Sequence, residues 1–148
     1  MQYFFAGQKT MNDQTYNCDL DLIIPFFKET YKSRIRILAK RKGGREKVIQ
    51  GFPHLMDEKL CKEYIVNCDG NNKEIQNTLL KMGAGDSCYV ISENKSLDQK
   101  TINLEKAINS TVGYGMGTFL ICIPKKLAFF CGEEINDNKI LFRKKVAL

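Results

Sequence analysis

A chain of 148 residues, 43% hydrophobic and 27% charged, has the size and balance of one soluble globular domain spanning residues 1–148. Its net charge of +6 sits almost wholly in one stretch: residues 28–47 carry nine basic and two acidic side chains, a net +7, so the rest of the chain sums to −1. This composition excludes a disordered polyelectrolyte, and no apolar run is long enough to predict a membrane-spanning helix.

Taken in order, Gln2 to Ala6 is apolar and aromatic and reads as a first strand. A polar loop with the turn signal Asn12-Asp13 follows. The opening residues carry no basic n-region, which predicts a cytoplasmic protein. Asp19 and Asp21 are placed to cap the first apolar run.

The basic stretch supports two readings. As a helix it starts near Pro25, lines up Phe27, Tyr31, Ile35 and Leu38 on one face, and ends at Gly43. As a hairpin, Arg34-Ile35-Arg36-Ile37 alternates, Gly43-Gly44 turns, and Lys47-Val48-Ile49 returns. Either form places cations on an exposed face. Lys28, Lys32, Arg34, Arg36, Lys40, Arg41, Lys42, Arg45 and Lys47 are the expected contacts for a polyanion, with an RNA or DNA backbone as first choice. No known RNA-reading motif accompanies them, so contact would run through phosphate charge.

Val48 to Phe52 reads as a short strand, closed by Gly51-Phe52-Pro53. A short helix over residues 54–61 puts Leu55, Met56 and Leu60 inward, and residues 63–68 form a strand. Asn71 or Asn72 caps a helix with Glu74 in its first turn, lined by Ile75, Leu79, Leu80 and Met82. Ser87 to Ser92 is a strand. Ser96 caps a third helix that buries Leu97, Ile102, Leu104, Ala107 and Ile108.

Thr118 to Ile123 and Leu127 to Cys131 are near-continuous apolar runs joined by Pro124-Lys125-Lys126. They predict a hairpin at the centre of a sheet covered on both faces. Lys139 to Arg143 is expected to be an edge strand, with Arg143, Lys144 and Lys145 as edge charges. Together these elements predict an α+β fold: a mixed or antiparallel sheet with the C-terminal hairpin at its centre and three to four helices packed on it.

Four candidate chemistries compete with the anion surface. Gly113, Gly115 and Gly117 with Tyr114 form a glycine loop, but the order helix, glycines, strand reverses that of a phosphate-binding loop. A tight connection at positive φ is the simpler reading, and a loop approached by a small anionic substrate is the enzyme alternative. His54 with Cys61 is a remote nucleophile pair, and Cys88 beside Asp86 and Ser87 is read as packing. No carboxylate spacing pairs acids for proton transfer. Six cysteines without a C-x-x-C pattern, and one histidine, predict reduced thiols, no metal and no cofactor. The reading leans away from an enzyme. An interaction module that docks an acidic protein is the remaining alternative.

Overall fold

A computed structural model describes residues 18–52, 56–134 and 137–144. The expected strand at Gln2 to Ala6, the loop after it, Leu55 and His54 lie outside these residues. So does Lys145.

Residues Ile65–Asn67 (β1), Ser87–Ser92 (β2), Thr101–Asn103 (β3), Thr118–Ile123 (β4), Leu127–Cys131 (β5) and Asn138–Phe142 (β6) form one six-stranded sheet. Its order is β1-β6-β5-β4-β2-β3, and every neighbouring pair is antiparallel. The α-helices are Glu29–Ala39 (α1), Gly44–Gln50 (α2), Met56–Lys59 (α3), Asn72–Lys81 (α4) and Leu104–Thr111 (α5). The α+β architecture and the central β4–β5 hairpin are as expected. Successive side chains of a strand point to opposite faces. Phe119, Ile121, Ala128 and Phe130 therefore pack under α1, α2 and α3, while Leu120, Leu127, Phe129 and Cys131 pack under α4 and α5. Two-sided burial is why β4 and β5 read as unbroken apolar runs. Phe119 is the hub of the first face, with ring centroids 4.8 Å from Phe52, 4.9 Å from Phe130 and 6.1 Å from Phe27. Each such buried ring contributes about 1.5–3 kcal/mol.

Several expectations are corrected. Residues 33–49 form no hairpin, and Val48 to Phe52 is not a strand; both belong to the α1–α2 pair and the turn after it. Gly43 turns the chain at φ 73°. Gly44 packs so closely on the end of α1 that a Cβ there would overlap the Leu38 carbonyl oxygen. Pro25 sits in a separate 3₁₀ turn, Ile24–Phe26, and α1 starts four residues later. Asp19 lies in the first turn of the 3₁₀ segment Cys18–Leu22 and is fully buried.

Ser96 starts no helix. The Asn94 carboxamide oxygen accepts from the Ser96 N–H at 3.0 Å and its hydroxyl at 2.7 Å, making a local turn instead. The chain then forms β3, with Ile102 opposite Cys88, and α5 begins at Leu104, capped by Asn103. β6 is not an edge, because β1 pairs along its outer side. On α4, Ile75 and Leu79 are buried, whereas Leu80 is 41% exposed. The helix expected over residues 54–61 is the single turn of α3, which buries Met56.

Candidate anion-binding surface

An α-helix turns about 100° per residue, so side chains two positions apart point to nearly opposite sides. Along α1 this separates the cations into two flanks. Arg36 and Lys40 line a pocket of about 380 Å³ together with Asp21 and Lys125. Arg34 turns the other way and lines a cleft of about 520 Å³ with Lys47 and Lys59. Arg41 and Lys42 are exposed on the turn just beyond the C-terminus of α1, where the helix dipole favours positive charge. Lys59 and Lys125 join these groups from distant parts of the chain, and neither was marked by a basic run of its own.

Arg34, Arg36, Lys40, Arg41, Lys42 and Lys47 are all exposed, and none forms an ion pair with a described carboxylate. Lys28, half-buried at the start of α1, is likewise unpaired among the described residues. Lys32 is engaged locally: its ammonium donates to Glu29 Oε2 at 2.8 Å. That hydrogen bond and the adjacent positive charge hold the Glu29 carboxyl below its ordinary pKa. On the cleft side, burial and the neighbouring Arg34 guanidinium push the Lys59 pKa down.

Arg45 departs from its group. Its Nε and Nη2 donate to Asp19 at 2.9 and 2.7 Å, and its Nη1 and Nη2 donate to Asp98 at 2.6 and 3.0 Å. Asp19 also accepts from the Tyr89 hydroxyl at 2.8 Å, and Asp98 accepts from the Ser92 N–H at 2.9 Å. Burial works against the Arg45 charge, but hydrogen bonds to Asp98 and Asp19 outweigh it and raise its pKa. Burial, and then the Asp19 charge, raise the Tyr89 pKa as well. Arg45 is therefore an internal clasp that ties α2 to the residues before α1 and to the turn after β2. It is withdrawn from the anion surface.

The glycine loop joins α5 to β4, the order expected, with Gly113 at φ 90° and Gly115 at φ 72°. A Cβ on Gly113 would meet nothing within 4 Å, so backbone conformation, not crowding, calls for glycine there. Gly117 is fixed by donating its N–H to Glu93 Oε1 at 2.8 Å. Tyr114 is 66% exposed. Neither pocket described above is lined by a residue of this loop.

The thiols carry no activated nucleophile among the described residues. Cys61 is raised by burial and donates to the Phe27 carbonyl oxygen at 3.4 Å. Burial pushes Cys88 up to about 12, and Cys68 and Cys131 up to about 11. Cys61, Cys68, Cys88, Cys122 and Cys131 are all free thiols. Among the described residues no three His, Cys, Asp or Glu side chains gather as a metal site, and no helix is long and apolar enough to cross a membrane. Compared with protein-family models, curated proteins and solved structures, this chain matches none.

Proposed function

We propose that the α1–α2 unit is a non-enzymatic docking surface for a polyanion, with the phosphate backbone of RNA or DNA as its ligand. The observation that carries this reading is the set of six exposed cations that pair with no carboxylate among the described residues: Arg34, Arg36, Lys40, Arg41, Lys42 and Lys47. They ride on the two flanks and the C-terminal tip of one short helix pair, so a flexible strand wrapping that ridge meets more of them than a flat duplex face. Unpaired surface cations of one sign attract phosphate and release its counterions on contact.

The test is fluorescence anisotropy with a labelled single-stranded RNA and a labelled duplex DNA across a salt series. With about five phosphates neutralised, affinity falls roughly 10²–10³-fold between about 50 and about 200 mM salt. Replacing Arg36, Lys40, Arg41 and Lys42 together by glutamine abolishes binding while the thermal melt is retained. Undiminished binding by that variant overturns the reading.

A second reading is supported by Ile37, which is 55% exposed at the crest of α1, between the two cationic flanks. A protein partner with an apolar centre and an acidic rim would cover it, whereas a phosphate backbone gains nothing from it. The Ile37→Ser variant separates the two: it leaves nucleic-acid affinity unchanged and weakens only a protein contact.

A further inference from the structure

The cleft between α1 and α2 combines two kinds of surface. Its floor is hydrocarbon and aromatic ring, from Phe27, Val48, Phe52 and Met56, with Tyr31 and Leu38 on its wall. Its charged side chains are Arg34, Lys47 and Lys59, and no carboxylate stands among the described residues that line it. Lys59 Nζ lies 5.9 Å from the Tyr31 ring centroid. Asp57, two residues before Lys59, is occupied by Lys139 at 2.8 Å. Three like charges line an apolar hollow, and burial first, then repulsion from Arg34, lower the Lys59 pKa against the opposing pull of Glu58.

An anion that relieves this repulsion must also suit the floor. The amino groups of adenine, guanine and cytosine need acceptors, and the described lining side chains offer only the Tyr31 hydroxyl and the weak thioether of Met56. An aliphatic chain makes no such demand and gains by leaving water. We propose that this cleft binds a free long-chain carboxylate, a ligand of the fatty-acid class, with its head between Arg34, Lys47 and Lys59 and its tail along the half-buried Tyr31 and Leu38. The volume of about 520 Å³ lies within the range of small-molecule sites. This goes beyond the polyanion reading and does not depend on it.

The experiment is calorimetric titration of the full chain with dodecanoate below its micelle concentration. One saturable site is expected, and octanoate binds about tenfold or more weakly because it buries fewer methylenes. Dodecylamine, with the same tail and the opposite charge, does not compete. The double variant Arg34→Gln, Lys59→Gln loses about tenfold or more in affinity. Lys59→Arg keeps the charge and keeps binding, which separates loss of charge from loss of fold. The glutamine variant at Arg36, Lys40, Arg41 and Lys42 binds dodecanoate as the unaltered chain does, so failure of one reading leaves the other standing. Equal affinity for octanoate and dodecanoate overturns the proposal. So does an unchanged affinity in the Arg34, Lys59 double variant, or tighter binding of adenosine monophosphate in the same cleft.

Discussion

The two faces of the sheet are covered by layers built on different physics. Over Phe119 and Phe130 lie α1, α2 and α3, a layer that carries the basic stretch and is fastened by a half-buried charged clasp on the fully buried Asp19. Over Leu120 and Phe129 lie α4 and α5, near neutral, with Asn caps at their starts and an Asn72–Asn109 hydrogen bond of 3.0 Å between them. Among the described ion pairs none fastens α4 or α5 to another element. A layer that concentrates like charge repels itself, and a charged clasp offsets part of that repulsion where apolar packing alone would not. The opposite layer has no such problem, and caps with apolar burial suffice. The contrast predicts that each face fails under a different insult.

The largest effect is expected at the clasp. Arg45→Leu leaves the fully buried Asp19 without its guanidinium partner. Breaking a buried pair from one side costs about 3–5 kcal/mol. Urea unfolding monitored by circular dichroism measures this. A loss under about 1 kcal/mol, the worth of an ordinary surface pair, would make the clasp incidental.

That clasp was the least legible part of the chain. Arg45 looks like its basic neighbours, and its partners lie 26 and 53 residues away. Only long-range folding distinguishes it. The same limit hid α2. Val48 and Ile49 are β-branched and suggest a strand, but their packing against α1, made close by Gly44, decides for helix. β3 has three residues and exists because Cys88 and Ile102 meet. β6 looked like an edge because its outer neighbour, β1, pairs Ile65 with Leu141 from far along the chain. What could be read were features with local causes. Pro124-Lys125-Lys126 between two apolar runs named the central hairpin, and Asn71 with Glu74 named the start of α4. The surface cations were legible as a set, but their division between two flanks follows from helical geometry that the hairpin reading left open.

The second effect belongs to the α4–α5 face, where the buried thiols Cys88 and Cys131 sit. Burial raises both in the folded chain, to about 12 and about 11, above the ordinary thiol value of about 8.5. Their stabilising share is whole below about pH 8.5 and declines as pH rises toward the folded values, because the unfolded chain releases these protons first. Each thiol steepens the loss by about 1.4 kcal/mol per pH unit in that window. Urea midpoints at about pH 8 and about pH 10 measure the slope, and Cys88→Ala removes one thiol's share. An identical slope in that variant would move the alkaline sensitivity elsewhere in the molecule.

Caps come next. Asn71 Oδ1 accepts from the Glu74 N–H at 2.9 Å, and Glu74 Oε1 accepts from the Asn71 N–H at 2.8 Å. Asn103 Oδ1 accepts from the Lys106 N–H at 3.0 Å. Asn71→Ala and Asn103→Ala each cost about 1 kcal/mol. The first α-helix of the other layer has no side-chain cap, so Lys28→Ala at the equivalent position does not incur that loss. Thermal melts of the three variants sharpen the contrast, and an equal loss at Lys28 would erase it.

The smallest effect is the one that separates the two roles within a single basic stretch. Arg36, Lys40, Arg41 and Lys42 are exposed and meet no described carboxylate, so their charge contributes no ion-pair stability. Converting all four to glutamine removes mutual repulsion and changes stability by no more than about 0.5 kcal/mol per site, in the stabilising direction at low salt. Added salt screens the same repulsion in the unaltered chain, so the two proteins converge in stability as ionic strength rises. Arg45→Gln, four residues beyond Arg41, follows the opposite rule: it is destabilising at every salt concentration because its partner Asp19 is fully buried. If the four surface substitutions cost as much as Arg45→Gln, these cations would be structural members of the layer, and a free anion-facing surface would have no basis.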